Sequence, residues 1–390
     1  MTLTLRSVIF YRYSLMRILL INWRDIRNPR SGGAEVHLHE IFSRIAGQGY
    51  DVTLLSCKFS GAKTTENIDG IEVMRYGGES TFNLTVPWFL RKHLAHRVFD
   101  IIIEDINKIP FLLPWFFKEP PVMVLLHHLF GRVFYRETNP VFATYLYFME
   151  RLIPHVYRHC FIEVVSESCR DELLQMGMLA NNISVVHNGL NTRFIEDQEN
   201  KIPKEPGLIV YLGRLKKYKN VDHLIQAMTI VHEEVPGARL VIVGTGNRRQ
   251  ALESMTRALG LVEVVEFAGY LTETDKFRLL RRAEVAAYPS TKEGWGITVI
   301  EANACGVPVV ATRVPGLCDA VIDGETGLLT PLGNPEAMAR ALVRLLRDTD
   351  ERKRLGQNAL MRSRSYSWED TARETLQIIE RIIGRKTNAV

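Results

Sequence analysis

Cysteine is scarce in this sequence of 390 residues, and long uninterrupted apolar segments are absent. The five cysteines are widely spaced, at positions 57, 160, 169, 305 and 318, and form neither a CxxC pair nor a Cys/His cluster. This spacing argues against a disulfide framework and against a zinc site, and it favours a reducing cytoplasm. No apolar run approaches the roughly 20 residues that a membrane-spanning helix needs.

A strong excess of charge of either sign is also lacking. The chain has 49 Lys and Arg against 44 Asp and Glu, a net charge of +5. This mildly basic balance permits binding of phosphate ligands or anionic lipid, but it is too weak to indicate a nucleic-acid-binding protein. The content of 46% hydrophobic and 24% charged residues is ordinary for a globular protein. The length suits two domains of about 150–200 residues.

The N-terminus lacks the features of a signal peptide. Residues 1–15 have no small-residue cleavage site, and Arg6 and Arg12 interrupt their apolar stretches. We interpret residues 1–15 as an appendage or as an upstream choice of start codon. The polar segment 201–207, which contains two prolines, is the best linker. We therefore predict domains over residues 16–200 and 201–366, followed by a C-terminal helical segment, 367–390.

Short apolar runs alternate with helical patterns along both predicted domains. This alternation predicts parallel sheets with both faces covered, and hence two doubly wound α/β domains that face each other across a cleft. The predicted strands are 18–21, 52–56, 71–74, 101–103, 122–126, 164–166, 183–186, 208–212, 239–243, 264–269, 284–288 and 307–311. Two helices, 335–347 and 368–383, are predicted to end the chain.

Between a predicted strand and a predicted helix lies a loop in which Gly294 and Gly296 flank Trp295. Glycines allow tight turns and bring backbone N–H groups close to a ligand. The positive end of the following helix points at the same place, which suits a phosphate or diphosphate. Glu293 precedes the loop, and Glu301 is predicted in the first helical turn. Backbone donors for phosphate together with carboxylates for hydroxyls suggest a sugar nucleotide.

Other predicted strands end in residues with related chemistry. The first is followed by Gly32 and Gly33, which do not match the GxGxxG pattern of dinucleotide-binding folds. Arg214 and Lys219 follow the strand 208–212, where a guanidinium and an ammonium can neutralise a diphosphate without a metal. His127 follows the strand 122–126 and is expected to face the cleft.

Together these motifs form an ordered set over nearly the whole chain from Met16. They are SGGAE at 31–35, LHH at 126–128, VSES at 165–168, HNGL at 187–190, LGRLKKYK at 212–219, VGTG at 243–246, EGWG at 293–296 with EA at 301–302, and DGETGLL at 323–329. The set resembles the retaining GT-B glycosyltransferases of glycosyltransferase family 4, also described as glycosyl transferases group 1. The two glutamates around Gly-Trp-Gly, preceded by Arg214 and Lys219, are its most specific part.

The resemblance implies a retaining hexosyltransferase that requires no metal and no cofactor. It implies transfer of a hexose from a UDP- or GDP-sugar to a hydroxyl of a glycan or lipid-linked acceptor, as in polysaccharide biosynthesis in the cytoplasm. The leaving phosphate itself would take the acceptor's proton in a front-face reaction, so no protein base is expected. The last helix would cross back onto the N-terminal domain.

The resemblance also implies roles for individual residues. Arg214 and Lys219 would bind the diphosphate, Glu293 the sugar hydroxyls and Glu301 the ribose hydroxyls, while His127 would contact the donor sugar. The predicted donor-binding set is Gly32, Gly33, Gly244, Gly269, Tyr270, Leu271, Gly294, Trp295, Gly296, Ile297, Thr298 and Glu301. The predicted acceptor-side residues are Asp105, Asn107 and His128. A core role for the Trp295 ring and helix-dipole compensation by Glu301 remain open alternatives.

The acceptor side leaves more alternatives open. Aromatic and basic residues interleave at 87–93, 111–118 and 132–136, where they either pack in the core or dock on a membrane surface near a lipid-linked acceptor. One rival is a sucrose- or trehalose-phosphate-type synthase with a small soluble acceptor, and another is a non-catalytic sugar-nucleotide-binding protein. Asp348-Thr349-Asp350 spells the metal-binding DxD of another glycosyltransferase fold, but it follows a predicted helix, and we predict no metal there.

Overall fold

The computed structural model describes residues 16–94, 96–107, 109–191 and 202–387. The proposed appendage 1–15 and the predicted domain boundary at 200/201 lie outside the described residues. In the part of the chain that is described, no helix is both long and apolar enough to cross a membrane.

An eight-stranded sheet forms the core of the N-terminal half. Its strands are Arg17–Ile21 (β1), Asp51–Ser56 (β2), Thr65–Ile68 (β3), Ile71–Arg75 (β4), Ile101–Ile106 (β5), Val122–Leu126 (β6), Phe161–Val164 (β7) and Ile183–Val185 (β8). Their spatial order is β3-β4-β2-β1-β5-β6-β7-β8. All neighbours are parallel except β3 and β4.

A six-stranded, fully parallel sheet forms the core of the C-terminal half. Its strands are Leu208–Leu212 (β9), Arg239–Val243 (β10), Val265–Gly269 (β11), Val285–Tyr288 (β12), Val309–Thr312 (β13) and Gly327–Thr330 (β14). Their order is β11-β10-β9-β12-β13-β14. The central strands are buried on both faces, as their continuous apolar sequences require.

The helices cover both faces of the two sheets. In chain order they are Gly33–Gly47 (α1), Phe82–His93 (α2), Leu113–Phe116 (α3), Phe134–Glu137 (α4), Pro140–Arg151 (α5), Ile153–Val156 (α6), Glu167–Gln175 (α7), Val221–Glu234 (α8), Arg249–Ala258 (α9), Glu273–Arg282 (α10), Ile297–Ala304 (α11), Leu317–Ala320 (α12), Pro335–Arg347 (α13), Thr349–Ser363 (α14) and Trp368–Thr387 (α15). The predicted fold class is therefore confirmed.

Three elements differ from the sequence-based expectation. Strand β3 is polar and pairs antiparallel with β4, through a turn in which Asp69 (φ 50) and Gly70 (φ 90) adopt positive φ angles. Asp-Gly is a typical two-residue hairpin turn, so this signal was present in the sequence. Strand β14 was not predicted. Strand β7 ends at Val164, two residues before the predicted end, because Ser166 instead caps α7 by accepting a hydrogen bond from the Cys169 N–H.

The predicted pair of terminal helices also omitted α14. Asp348 lies between α13 and α14, and its carboxylate accepts a hydrogen bond from the Glu351 N–H at 2.8 Å. The Asp348-Thr349-Asp350 sequence is therefore a helix N-terminus that begins α14, rather than only the solvated end of α13. Among the described residues, no group of three His, Cys, Asp or Glu side chains is arranged to hold a metal ion.

In each sheet a crevice forms beside the strand at which the strand order changes direction. Strand β1 lies between β2 and β5, and β9 lies between β10 and β12. From each of these strands the chain first runs to the neighbour on one side, β2 or β10, and later adds the neighbour on the other side, β5 or β12. Ligands of open α/β sheets bind outside the carboxyl ends of the strands at such a point. The loops after β1, β6, β9 and β12, which carry the predicted site residues, all begin at these edges.

The chain connections between the two sheets pack against each other, and we call residues 187–190 and 363–368 the hinge. A Cβ on Gly189 would lie 2.2 Å from the Trp368 nitrogen, so only glycine permits this approach. The Leu190 N–H donates to the Tyr366 carbonyl at 3.3 Å. After the hinge, α15 packs onto α1 and the β1 side of the first sheet, with Ala372 and Ile379 in that core.

A buried carboxyl group lies beneath α15. Thr375 Oγ1 donates to Glu163 Oε1 at 3.0 Å, while Glu163 Oε2 has no partner among the described residues. Burial raises the pKa of Glu163 to about 8 from 4.5. Its neighbour His37, 3.9 Å from Glu163, stays neutral because burial lowers its pKa to about 3.

We expect Glu163→Gln to flatten the alkaline loss of stability. Because the folded-state pKa exceeds the unfolded value, the group's contribution is complete below about pH 4.5 and is lost as the pH rises through about 8. The melting temperature of the variant, relative to the wild type, should therefore rise by a few degrees between pH 5 and pH 9. Glu380→Gln, on the exposed face of α15, serves as the control. Parallel pH profiles for Glu163→Gln and the wild type would contradict this assignment.

Candidate functional site

Two helix N-termini meet in the crevice between the sheets. Helix α1 begins after Gly32, and α11 begins after Gly296, whose φ of 92° favours glycine. A Cβ on Gly33 would lie 3.5 Å from Ile297 Cδ1, so the two helix starts are in contact distance. The positive ends of two helix dipoles therefore lie close together, and a helix start also offers N–H groups that have no partner within the helix, which favours an anion.

Arg214 lies at the same place, just after β9. Its Nη2 donates to the Arg30 carbonyl at 2.8 Å, which connects the loop after β9 to the loop after β1. A Cβ on Gly32 would lie 2.2 Å from this Nη2. The absence of a side chain at Gly32 thus leaves room for the guanidinium at the start of α1.

Lys219 and Glu293 form an ion pair between the ends of β9 and β12. Lys219 Nζ lies 2.5 Å from Glu293 Oε1, and Ser290 Oγ donates to the same oxygen at 2.6 Å. Burial lowers the pKa of Lys219, but the Glu293 carboxylate outweighs this effect and the pKa is raised. Lys219 therefore remains a cation, held in one position by its partner.

Glu301 is buried on α11 with one of its two oxygens unpaired. It was predicted in the first turn of the helix, but it is the fifth residue and lies beyond that turn. Lys276 Nζ donates to Glu301 Oε1 at 2.6 Å, whereas Oε2 has no partner within the described residues. Burial raises the pKa of Glu301, and Lys276 opposes this effect. Lys276 was missed from the sequence because it lies among ordinary charges on α10.

The loop between Glu293 and α11 runs directly against the N-terminal half. A Cβ on Gly294 would lie 2.3 Å from the His127 carbonyl oxygen. Behind the loop, a Cβ on Gly316 would lie 2.3 Å from the Glu293 carbonyl oxygen. The Trp295 ring is buried in the hinge, where it stacks on His187. The sequence left a core role for the Trp295 ring open, and the structure shows the ring packed in the interior.

His127 follows β6 and is held by an acidic neighbour. Its Nε2 lies 2.9 Å from Asp105 Oδ1, and its ring meets the His37 ring edge-on, with centroids 4.9 Å apart. Burial lowers the pKa of His127, but the carboxylates of Asp105 and Glu35 outweigh it and the pKa is raised. Asp105 is fully buried, so the expectation that it lines the acceptor side is wrong. Strands β5 and β6 are neighbours, which places Asp105 beneath His127 instead.

The other predicted residues lie around this centre. Asn107 Nδ2 donates to Asn22 Oδ1 at 2.7 Å, and the His128 ring packs on Phe130. At the ends of β10 and β11 the Gly244 N–H donates to the Gly269 carbonyl at 2.7 Å, with Tyr270 exposed and Leu271 partly buried beyond it. A Cβ on Gly244 would lie 2.0 Å from the Gly213 carbonyl, so this glycine brings the loops together. The Thr298 carbonyl accepts from the Tyr288 hydroxyl at 2.7 Å.

Comparison with known proteins gives matches over both halves of the chain. Residues 31–194 match the family model Glycosyltransferase Family 4, and residues 192–362 match Glycosyl transferases group 1. An uncharacterized glycosyltransferase of Methanocaldococcus jannaschii is 26% identical, over 93% of this chain and 97% of that protein.

Solved structures with similar folds extend over nearly the whole chain. Sucrose-phosphate synthase from Thermosynechococcus elongatus has a TM-score of 0.79 at 22% identity and covers 95% of this chain and 100% of that one. Anabaena HepE in complex with UDP and glucose has a TM-score of 0.71 at 19% identity and covers 94% of this chain and 99% of that one. At these identities the likeness concerns the fold.

Proposed function

We propose, from the premise that this chain belongs to the GT-B glycosyltransferases of family 4 and group 1, that it transfers a hexose from a nucleotide diphosphate sugar to an acceptor hydroxyl with retention of configuration. One observation carries the proposal. Arg214 lies at the start of α1, close to the start of α11, Lys219 is paired with Glu293 in the loop before α11, and the unpaired, buried Oε2 of Glu301 lies on α11.

The chemistry of the donor explains why these groups are combined. A nucleotide diphosphate is the leaving group, so negative charge grows on it as the bond to the sugar breaks. Fixed donors and cations stabilise such charge because they need no reorganisation during the reaction. Arg214 and Lys219 supply the cations, and the starts of α1 and α11 supply N–H groups. No metal and no cofactor enter the proposal.

The carboxylates divide between two sets of hydroxyls. Glu301 Oε2 is a buried acceptor with no partner in the described residues, which suits the ribose hydroxyls. Glu293, oriented by Lys219 and Ser290, is assigned to the sugar hydroxyls. We call residues 293–296, between β12 and α11, the donor loop. His127 closes the pocket over it, since the His127 carbonyl contacts Gly294. The leaving phosphate would take the acceptor's proton, in keeping with retention.

Calorimetry with UDP-, GDP- and ADP-sugars tests this donor assignment. One of them should bind, and Lys219→Ala and Glu293→Ala should each weaken that binding at least tenfold. Lys217→Ala, on an exposed lysine of the same loop, should leave binding unchanged. If no nucleotide sugar binds to the wild type, the proposal fails. Binding without turnover of any acceptor would instead support a non-catalytic sugar-nucleotide-binding protein.

The acceptor is assigned to a glycan or lipid-linked hydroxyl reached from the cytoplasmic face of a membrane. Helix α5 packs on α4, where Glu137 accepts a hydrogen bond from the Tyr218 N–H at 2.8 Å, next to Lys219. It exposes an apolar face on which Val141 is 83% and Phe148 61% exposed. The exposed charged residues of the segment 131–152 are arginines: Arg132, Arg136 and Arg151. Apolar side chains bordered by cations suit an interface of anionic lipid.

A second aromatic surface lies on α2 and α3. Trp88 is 50% and Trp115 57% exposed. Lys92 Nζ lies 4.7 Å from the Trp88 ring centre. In the same stretches Phe89 and Phe111 are buried in the core. The structure thus packs some aromatics of these stretches in the core and leaves others exposed, where they are available for the proposed membrane contact. The α5 face was missed because aromatics occur on both sides of that helix.

Vesicle co-sedimentation tests the membrane part of the proposal. The wild type should co-sediment with vesicles of phosphatidylcholine and about 30% phosphatidylserine, and binding should weaken as salt rises. The double variant Val141→Ser, Phe148→Ser should lose at least fivefold in binding because it removes buried apolar area at the interface. Met361→Ser, on an exposed apolar residue of α14, is the control. Binding to no vesicle would favour a small soluble acceptor, as in a sucrose-phosphate-type synthase.

A further inference from the structure

Three aromatic rings from three separate segments meet at the hinge. The Trp295 ring stacks on the His187 ring, with centroids 4.2 Å apart and planes 14° apart. The Tyr366 ring meets Trp295 edge-on at 5.3 Å and His187 at 5.8 Å. His187 and Tyr366 belong to the hinge, whereas Trp295 belongs to the loop between Glu293 and α11.

Packing alone holds the tryptophan ring in this cluster. Trp295 is 2% exposed, and its Nε1 has no hydrogen-bond partner among the described residues. Its two neighbours are fixed by polar contacts, and for Tyr366 the carbonyl accepts a hydrogen bond from the Leu190 N–H at 3.3 Å. His187 Nδ1 lies 3.0 Å from the Val165 carbonyl, and the His187 carbonyl accepts from Thr371 Oγ1 at 2.9 Å. The ring therefore packs on both chain connections between the sheets. We call its two neighbours, His187 and Tyr366, the frame.

The backbone on either side of this ring belongs to the donor loop. Gly294 lies against the His127 carbonyl, and Gly296 caps α11 at a positive φ angle. Flanking glycines leave the loop few conformational restraints of its own. The position of its N–H groups consequently depends on where the Trp295 ring is held.

We propose that Trp295 is a positioning residue that couples the arrangement of the hinge to the geometry of the donor loop. The inference rests on the proposed function and adds a role for a side chain that need not touch the substrate. When the two halves move relative to each other, His187 and Tyr366 move with the hinge, and the stacked ring carries the loop with them. The loop then presents its N–H groups correctly only when the halves are closed.

Kinetics and solution scattering of hinge variants test this coupling. Trp295→Ala should lower kcat by about 100-fold, the cost of misplacing reacting groups by about 1 Å. The affinity for the nucleotide diphosphate alone should fall much less than kcat, by less than tenfold, because Arg214, Lys219 and Glu301 still bind it. Trp295→Phe should recover most of kcat by restoring an aromatic ring. Leu332→Ala, at an exposed apolar residue outside the proposed donor and membrane surfaces, is the control.

Substitutions in the frame separate positioning from direct contact. His187→Ala and Tyr366→Ala leave the donor loop sequence unchanged, yet each should lower kcat at least tenfold. We expect the nucleotide sugar to decrease the radius of gyration of the wild type, and each variant should abolish that decrease. Wild-type kcat and undiminished compaction in both variants would overturn the coupling. Failure of the wild type to bind any nucleotide sugar would instead overturn the proposed function, so the two failures are distinguishable.

Discussion

Replacing Lys219 by methionine should lower kcat/KM by about 1,000-fold, the upper range for loss of one fixed group that stabilises transition-state charge. Lys219 lies 2.5 Å from Glu293 and remains protonated because that carboxylate outweighs the effect of burial on its pKa. Methionine keeps much of the side-chain volume but removes the cation. The departing diphosphate would then lose one of its two side-chain counter-charges.

The same substitution leaves the Glu293 carboxylate, which has little access to solvent, without its cationic partner. Removing one member of a buried ion pair costs about 3–5 kcal/mol of stability, so loss of activity could reflect unfolding. The double variant Lys219→Met, Glu293→Gln removes both charges and should recover much of the melting temperature without recovering activity. Lys217→Met, exposed on the same loop, should behave as the wild type. Activity of Lys219→Met within tenfold of the wild type would contradict the assignment.

Asp105→Asn should lower kcat by about 100-fold, a magnitude typical of groups that orient a functional histidine from behind. Asp105 Oδ1 lies 2.9 Å from His127 Nε2, so the carboxylate fixes which ring nitrogen carries a proton and which way the ring faces. An asparagine amide can donate to the same nitrogen and thereby favour the wrong tautomer. The substitution also removes the negative charge that raises the pKa of His127 against the effect of burial.

The pH profile distinguishes this role from a purely structural one. His127 faces the carboxylates of Asp105 and Glu35, which raise its pKa against the effect of burial, and the neutral ring of His37. Without the Asp105 charge, burial dominates and the pKa of His127 falls. The inflection that reports His127 should therefore move to lower pH in Asp105→Asn. Asp100→Asn, at the opposite end of the same strand, where the carboxylate accepts from the Arg17 N–H at 2.7 Å, is the control. An unshifted profile with unchanged kcat would refute the role.

Much of the fold is predictable because its signals are local. The buried strands β1, β6, β9 and β10 are continuous apolar runs that end at glycine or polar residues, and they lie within a residue of their predicted bounds. Strand β3 and helix α14 lack an apolar run and were missed. Strand β3 is held by backbone pairing with β4, and α14 is begun by the Asp348 cap. The sequence signals that mark them are of another kind, the Asp69-Gly70 turn before β4 and the Asp348 cap, rather than a hydrophobic pattern.

The residues of the candidate site likewise divide into those that the sequence pattern indicates and those that only the fold brings to the site. The donor loop, Arg214 and Lys219 were recognisable because each occurs in a short segment that follows a predicted strand. Lys276 has no such signal, since it becomes significant only when α10 brings it to 2.6 Å from Glu301. Asp105 was noticed but assigned to the wrong surface. A strand end specifies an edge of the sheet, whereas the depth of a side chain depends on what covers it.

For Trp295 the sequence by itself determined that an aromatic ring stands between two glycines, in a loop suited to a diphosphate. Only the tertiary structure decided that this ring packs on His187 and Tyr366 at the hinge. Backbone chemistry and helix direction are properties of a segment and its neighbours along the chain. The surroundings of a side chain depend on segments that lie far away in sequence, 108 positions in the case of His187 and Trp295, and packing alone brings them together.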